Sequence, residues 1–282
     1  MADGSLWPSI SIVTPSLNQG PFIEKTIRSV LLQGYPNLEY IIIDGGSTDG
    51  TVEVIKKYEK WLIYWISEPD RGQSHAVNKG FSRASGDILA WLNSDDYYFP
   101  NVFQTIVSHY FKYPMAGAWA GGGRQIDSST GDKLWDRPPP PLDFQEILQW
   151  KEYCLPQPSC FLNRNILKGE VYLNEGYHMQ MDYDLWLRIS KNHPIIPINQ
   201  ILSVNQKHED AKTARFDLLF RGLAEKWAIM QNHAGIEFVT RDIESFLHGD
   251  IEIIYKLRNI SQKTYLKLFT PIIKKLLHKL NF

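Results

Sequence analysis

Four short apolar runs, Ser9–Thr14, Leu38–Ile43, Leu62–Ser67 and Asp87–Leu92, each lead through a polar turn into a stretch with helical spacing. This alternation constrains the fold more than any other feature of the chain. The helical stretches fall at Pro21–Gln33, Thr51–Lys60, Ser74–Ala84 and Asn101–Tyr113; in the first, Phe22, Ile23, Ile27, Val30 and Leu31 recur on one face. Strands separated by helices of about 10–15 residues are joined by right-handed crossovers, which implies an α/β fold with a mostly parallel sheet.

The chain has 282 residues, 43% of them hydrophobic and 22% charged, enough to bury a sizeable core and unlike a disordered tail. Thirty Lys and Arg against 31 Asp and Glu leave a net charge of −1, so there is no global basic field to gather nucleic acid. Cys154 and Cys160 form neither a disulfide framework nor a zinc pattern. No secretory signal precedes Pro8 and no apolar run approaches membrane-spanning length, which leads to the expectation of a cytoplasmic protein. Seven of the basic residues and no acidic ones lie between Ile253 and Phe282, where Leu266, Phe269, Ile272, Ile273, Leu276, Leu277 and Leu280 recur at helical spacing. Such a tail suits either the inner surface of an anionic membrane or the protein's own core.

After Pro114 the pattern loosens. Gly121-Gly122-Gly123 reads as a break and Pro138–Pro141 as a stiff connector; a helix is expected at Asp182–Ser190, and mostly helix over Phe216–Gln231 and Ile243–Leu280. The expected organisation is a first half (1–114), a second half of the same domain (115–215) and a helical C-terminal segment (216–282).

Ligands of an open parallel sheet bind at the carboxyl ends of its strands. Here those ends carry Pro15-Ser16-Leu17-Asn18, then Asp44 with its Gly-rich turn, then Asn93-Ser94-Asp95-Asp96. Adjacent carboxylates such as Asp95 and Asp96 repel unless a positive group accompanies them, and a Mg2+ or Mn2+ ion bound to a pyrophosphate is one such group. Capping of the following turn is the other reading. Neither a P-loop nor a Gly-x-Gly-x-x-Gly fingerprint is present.

TPSLNQGPFIEKTIRSVLLQGYPNLEYIIIDGGSTDGT and SEPDRGQSHAVNKGFSRASGDILAWLNSDDYYFP, together spanning nearly all of Ile10–Pro100, resemble the N-terminal half of family 2 glycosyltransferases of the GT-A fold. MDYDLWLRI (Met181–Ile189) and QKHEDAKT (Gln206–Thr213) resemble later segments of that family. The resemblance implies a Rossmann-like sheet with flanking helices plus a helical C-terminal segment. It also implies a nucleotide-sugar donor held at Pro15, Asp44 and Arg71, with Asp95 near the ribose or a metal-bound water and Asp96 the direct metal ligand.

Asp182 matches the family's general base, although Met181 stands where the family has an acid. A carboxylate there would take the acceptor hydroxyl's proton; N-capping of the following helix is its alternative role. Asp184 is a second candidate base, four residues before Arg188 and therefore also suited to an ion pair. His208 could complete a metal shell or touch the diphosphate, and Lys212 and Arg215 could neutralise phosphate charge. Gln157 could contact the sugar or acceptor, and Trp150, Tyr153 and Trp186 could stack on a sugar or pack in the core.

The resulting expectation is an inverting, Mn2+- or Mg2+-dependent glycosyltransferase acting in glycan or surface-polysaccharide synthesis. A UDP-sugar is favoured over dTDP- and GDP-sugars, and the acceptor is a saccharide, lipid-linked or protein hydroxyl. A non-catalytic nucleotide- or carbohydrate-binding module and a nucleotidyltransferase are the alternatives left open.

Overall fold

The computed structural model describes residues 7–139, 142–149, 155–209, 211–212 and 216–245. Chain order begins with β1 (Ile10–Ser16), α1 (Gly20–Leu31), β2 (Leu38–Asp44), α2 (Thr51–Tyr58), β3 (Tyr64–Ser67) and α3 (Gln73–Phe81). β4 (Ile88–Trp91) then passes through a tight turn into the short β5 (Asp96–Tyr98) and α4 (Val102–Lys112). All of β1 and β4 is buried, as strands covered on both faces must be. α1 buries Ile23, Ile27 and Val30, an i, i+4, i+7 stripe that fixes which way the helix faces.

β1 lies between β2 and β4, parallel to both, and β2 pairs in parallel with β3. The order β3-β2-β1-β4 therefore reverses direction at β1, where a crevice opens between the ends of β1 and β4.

Residues 118–207 extend this sheet with β6 (Ala118–Asp127), β7 (Lys133–Arg137), β8 (Cys160–Asn163) and β9 (Ile195–Lys207). Between β7 and β9 come α5 (Phe144–Leu148), α6 (Arg164–Leu167) and α7 (Met181–Asn192), the last where a helix is expected from the sequence. The full order is β3-β2-β1-β4-β8-β6-β9-β5, with β7 on β6. Of the eight pairings among the described residues, four are parallel, and β4–β8, β5–β9, β6–β7 and β6–β8 are antiparallel.

The reading of Gly121-Gly122-Gly123 as a break is corrected here: the three lie inside β6. A Cβ on Gly122 would stand 2.3 Å from the Arg137 carbonyl, and one on Gly121 would stand 2.4 Å from the Leu202 side chain. The glycines admit close neighbours, and the register with β9 shifts on either side of Gly122. Pro138 and Pro139 follow β7, while Pro140 and Pro141 lie outside the described residues. No boundary interrupts the sheet here, because β8 bridges β4 and β6.

Contacts divide the chain into residues 1–215 and 216–282. In the second unit α8 (Phe216–Ala234) and α9 (Ile236–Ser245) are joined at Gly235, whose φ of 82° suits a residue without a side chain. Asp242 on α9 ties them together, accepting from Trp227 Nε1 at 3.0 Å and pairing with Lys226 at 3.2 Å. The expected helix over Ile243–Leu280 reaches the described residues only as far as Ser245, and the basic tail lies outside them. Among the described residues no helix is long and apolar enough to cross a membrane.

Candidate active site

A cleft of about 510 Å3 opens at the carboxyl ends of β1 and β4. This is within the usual size range of small-molecule sites. Pro15, Ser16 and Leu17 leave β1 along one wall, and Trp91, Asn93, Ser94 and Asp95 leave β4 along the floor. Asp70, Gly72 and Gln73 enter from the start of α3, and Gln157, Met181, Asp182, Asn205, Gln206 and Lys212 arrive from the second half of the sheet.

The acidic pair divides its work. Asp95 lies on the cleft, where its Oδ2 is 3.1 Å from His208 Nε2 and its backbone carbonyl accepts from Gln206 Nε2 at 2.6 Å. Asp96 opens β5 and is fully buried; Asn205 Nδ2 donates to its Oδ1 at 2.8 Å and Asn93 Nδ2 to its Oδ2 at 3.0 Å. Burial and the neighbouring Asp95 push the Asp96 carboxyl well above the usual range, against those two amide donors. Asp95 lies on the cleft lining, whereas Asp96, the expected direct metal ligand, is buried and absent from it; His208 stands beside Asp95, its side chain nearly buried and likewise outside that lining.

Among the described residues no group of three or more His, Cys, Asp or Glu converges as a metal cage. The Asp95–His208 pair still fits a divalent cation. A carboxylate oxygen on the cleft with an imidazole nitrogen 3.1 Å from it suits Mn2+ or Mg2+, leaving the other coordination positions to diphosphate oxygens and water.

Asp182 lies on the same cleft in the first turn of α7. It does not cap that helix, since the N-cap position belongs to Gln180; instead its Oδ1 accepts from the Tyr183 backbone N–H at 2.8 Å. Desolvation pushes its carboxyl up to about 6, opposed by that backbone donor and by the positive charge of Lys212. Asp184 is absent from the cleft lining: its Oδ2 accepts from Arg188 Nε at 3.0 Å, the helical ion pair that the spacing allows.

The other expected residues fall on both sides of the cleft boundary. Pro15, Gln157 and Lys212 line it. Gln157 donates to the Trp91 carbonyl at 2.8 Å and accepts from Asn93 Nδ2 at 3.3 Å; Lys212 donates to Gln73 Oε1 at 2.8 Å. Asp44 is fully buried behind the wall, its carboxylate accepting from the backbone N–H groups of Gly46 and Ser47 and the hydroxyls of Ser47 and Ser67. Arg71 is exposed and pairs with Glu175 at 2.7 Å, while its neighbours Asp70 and Gly72 line the cleft. Trp186 stacks on Trp91 at 5.8 Å, fully buried, and so packs in the core. Trp150, Tyr153 and Arg215 lie outside the described residues.

Sequence reasoning missed Asn205 and Gln206 as site residues. Both sit on β9, whose Ile201-Leu202-Ser203-Val204 run was the available strand signal. It also missed Gln73, whose Nε2 donates to Asn93 Oδ1 at 2.6 Å and so connects Lys212 to the floor.

An α/β sheet with a polar cleft at its switch point is a common ligand-binding architecture, and solved structures narrow the class to the GT-A fold. Staphylococcus aureus TarS, solved with UDP-GlcNAc, matches with TM-score 0.64 at 16% identity, over 90% of this chain and 77% of that one. The mannosyltransferase PcManGT of Pyrobaculum calidifontis, solved with GDP-Man and Mn2+, matches with TM-score 0.58 at 17% identity, over 96% and 81% of the two chains.

Residues 11–169 match the family model described as glycosyl transferase family 2, and the chain belongs to that family. Bacillus subtilis TuaG, a glycosyltransferase named for teichuronic acid biosynthesis, is 31% identical over 147 residues, covering 50% of this chain and 58% of TuaG. The chain spans somewhat under three fifths of the length of the first curated relatives it matches.

Proposed function

We propose that this chain is an inverting, metal-dependent glycosyltransferase that moves a sugar from a nucleotide-sugar donor, a UDP-sugar favoured, to an acceptor hydroxyl in glycan or surface-polysaccharide synthesis. The observation that carries the reading is Asp182: a half-buried carboxylate on the cleft, poised at about 6, with Asp95 on the same cleft and His208 Nε2 3.1 Å from Asp95. A carboxylate with that pKa is mostly ionised at neutral pH and basic enough to accept a proton as the acceptor oxygen attacks. Attack on the anomeric carbon forms the new C–O bond, the bond to the diphosphate breaks, and the hydroxyl proton passes to Asp182. The configuration inverts because a single displacement comes from the face opposite the leaving group.

Asp95 and His208 would hold the divalent cation, which supplies Lewis-acid neutralisation of the leaving diphosphate. Lys212 adds a positive charge at the cleft mouth, and Gln157 offers its amide to the sugar or acceptor. The UDP preference draws support from the UDP-GlcNAc held by TarS, and the polysaccharide acceptor from the name of TuaG. Peripheral membrane contact through the basic tail, the second part of the proposal, would bring a lipid-linked acceptor to the enzyme.

Calorimetric titration with UDP, GDP and dTDP, each with and without Mn2+, tests the donor and metal readings. Tight, metal-enhanced binding of UDP is expected, and no metal-enhanced binding of any of the three would sink the proposal. Released nucleoside diphosphate marks sugar transfer and pyrophosphate marks nucleotidyl transfer. A non-catalytic module, which Met181 on the cleft beside Asp182 favours as second reading, would release neither.

A further inference from the structure

Phe22 stands in the first turn of α1, one residue ahead of the buried stripe of Ile23, Ile27 and Val30. Its helical spacing assigns it to the core, yet it is half-buried and does not belong to the core cluster. Its ring lies over the imidazole of His208, with centroids 4.5 Å apart and planes inclined at 30°. The edge of the same imidazole meets Asp95, with Nε2 3.1 Å from Oδ2. A ring on the face fixes the plane of the imidazole, and a carboxylate at the edge fixes its rotation within that plane. Together the two contacts define where both ring nitrogens point.

The entry to α1 is fastened to the turn before α2 and to the first residue of α2: the backbone N–H of Asn18 donates to Ser47 Oγ at 2.7 Å, that of Gln19 to Thr51 Oγ1 at 2.9 Å and that of Gly20 to Asp49 Oδ2 at 2.9 Å. His208 sits in the turn just beyond Lys207, the last residue of β9. A side chain on a loop loses rotamer freedom when it binds a ligand, and a preformed seat reduces that loss.

We propose that Phe22 is a positioning residue that seats the His208 imidazole against Asp95, presetting the pair for a divalent cation. The proposal rests on the reading of Asp95 and His208 as the cleft's metal-binding pair, and extends it by assigning their geometry to a helix that supplies no ligand. Neighbours that orient a metal ligand typically change metal affinity by about 10–100-fold when replaced.

The test is titration of Mn2+ into the full chain saturated with UDP, with free Mn2+ read by electron paramagnetic resonance and melting temperatures measured alongside. Phe22→Ala should weaken Mn2+ affinity on the order of 10-fold. Phe22→Tyr, which keeps the ring, should restore it, and Phe22→Leu, which keeps apolar volume without a flat face, should not. UDP affinity without metal should stay at the wild-type value. In a His208→Ala background Phe22→Leu should add nothing. Unchanged Mn2+ affinity in Phe22→Leu beside a weakened His208→Ala would overturn the seat and leave the metal reading standing. An equal loss from Phe22→Leu with or without His208 would also overturn it, since the effect would not pass through the imidazole. If His208→Ala itself left Mn2+ affinity intact, the metal reading and the seat would fall together. Should Phe22→Ala fail to fold, the contrast between Leu and Tyr decides the question.

Discussion

Residues 10–100 and residues 118–212 build the two sides of one cleft by different routes. In the first region most cleft-forming residues follow directly from strand ends, with Pro15–Leu17 leaving β1 and Asn93–Asp95 leaving β4, and Asp70, Gly72 and Gln73 join them at the start of α3. In the second region they come from a short turn (Gln157), a helix start (Asp182), a strand (Asn205, Gln206) and a loop (Lys212), and they meet only because the sheet folds back on itself. The first side is a consequence of chain order and the second of long-range pairing. The contrast teaches that a chemical group's position along the chain predicts its place only where the chain itself carries it there.

The sharpest way to break this comparison is at the carboxylate that the second region supplies. Asp182→Asn should lower turnover by about 10^2–10^4-fold while preserving Mn2+-dependent UDP affinity, because the residue acts on the acceptor. The pH–rate profile of the wild type should fall on the acid side near pH 6, where Asp182 takes up its proton. Asp184→Asn should mainly lower the melting temperature by loosening Arg188; if it shows the turnover loss instead, the base has been assigned to the wrong carboxylate.

The second test bears on the acidic pair in the first region. Asp95→Asn should weaken Mn2+-dependent UDP binding by at least about 10-fold, the scale expected for residues at a metal site. Asp96→Asn should act chiefly on stability, since its new amide hydrogens would face the donors of Asn93 or Asn205 and leave a buried clash costing about 1–3 kcal/mol. Calorimetry and thermal melts on both variants distinguish these effects. A larger metal defect in Asp96→Asn would reverse the assignment.

Two smaller effects sharpen the structural side. Gly122→Ala should destabilise by about 1–3 kcal/mol, because its Cβ meets the Arg137 carbonyl. Unchanged denaturant stability would mean that β6 is less tightly enclosed than described. The folded state holds the Asp182 proton to higher pH than the unfolded chain does, so stability falls as pH rises from about 4 to about 6 and then levels off. Asp182→Asn should remove that fall, making the variant more stable than wild type at pH 8 by about 1–2 kcal/mol, a value reduced by water in the cleft. Equal melting curves for the two proteins across that range would show that the site does not desolvate the carboxyl.

The sequence by itself determined the parallel half of the sheet, four of its helices and the polar strand ends that frame the crevice. Those features depend on neighbours a few residues apart: the apolar run of a covered strand, the i, i+4, i+7 stripe of α1, and the turn that follows a strand. Asp95 and Asp96 were legible as an acidic pair, and Asp184 as half of an ion pair with Arg188, for the same local reason. Only the tertiary structure decided which acid of the pair faces the cleft, because Asn205 reaches Asp96 from β9. It likewise placed Asp44 and Arg71 beside the cleft, turned Phe22 from the core to His208, and set three glycines inside a strand. Each of these depends on pairing across long chain separations, such as β8 inserting between β4 and β6 or β9 between β6 and β5. Loop closure brings such partners together only after the local units exist, and no short-range spacing encodes which partners they will be.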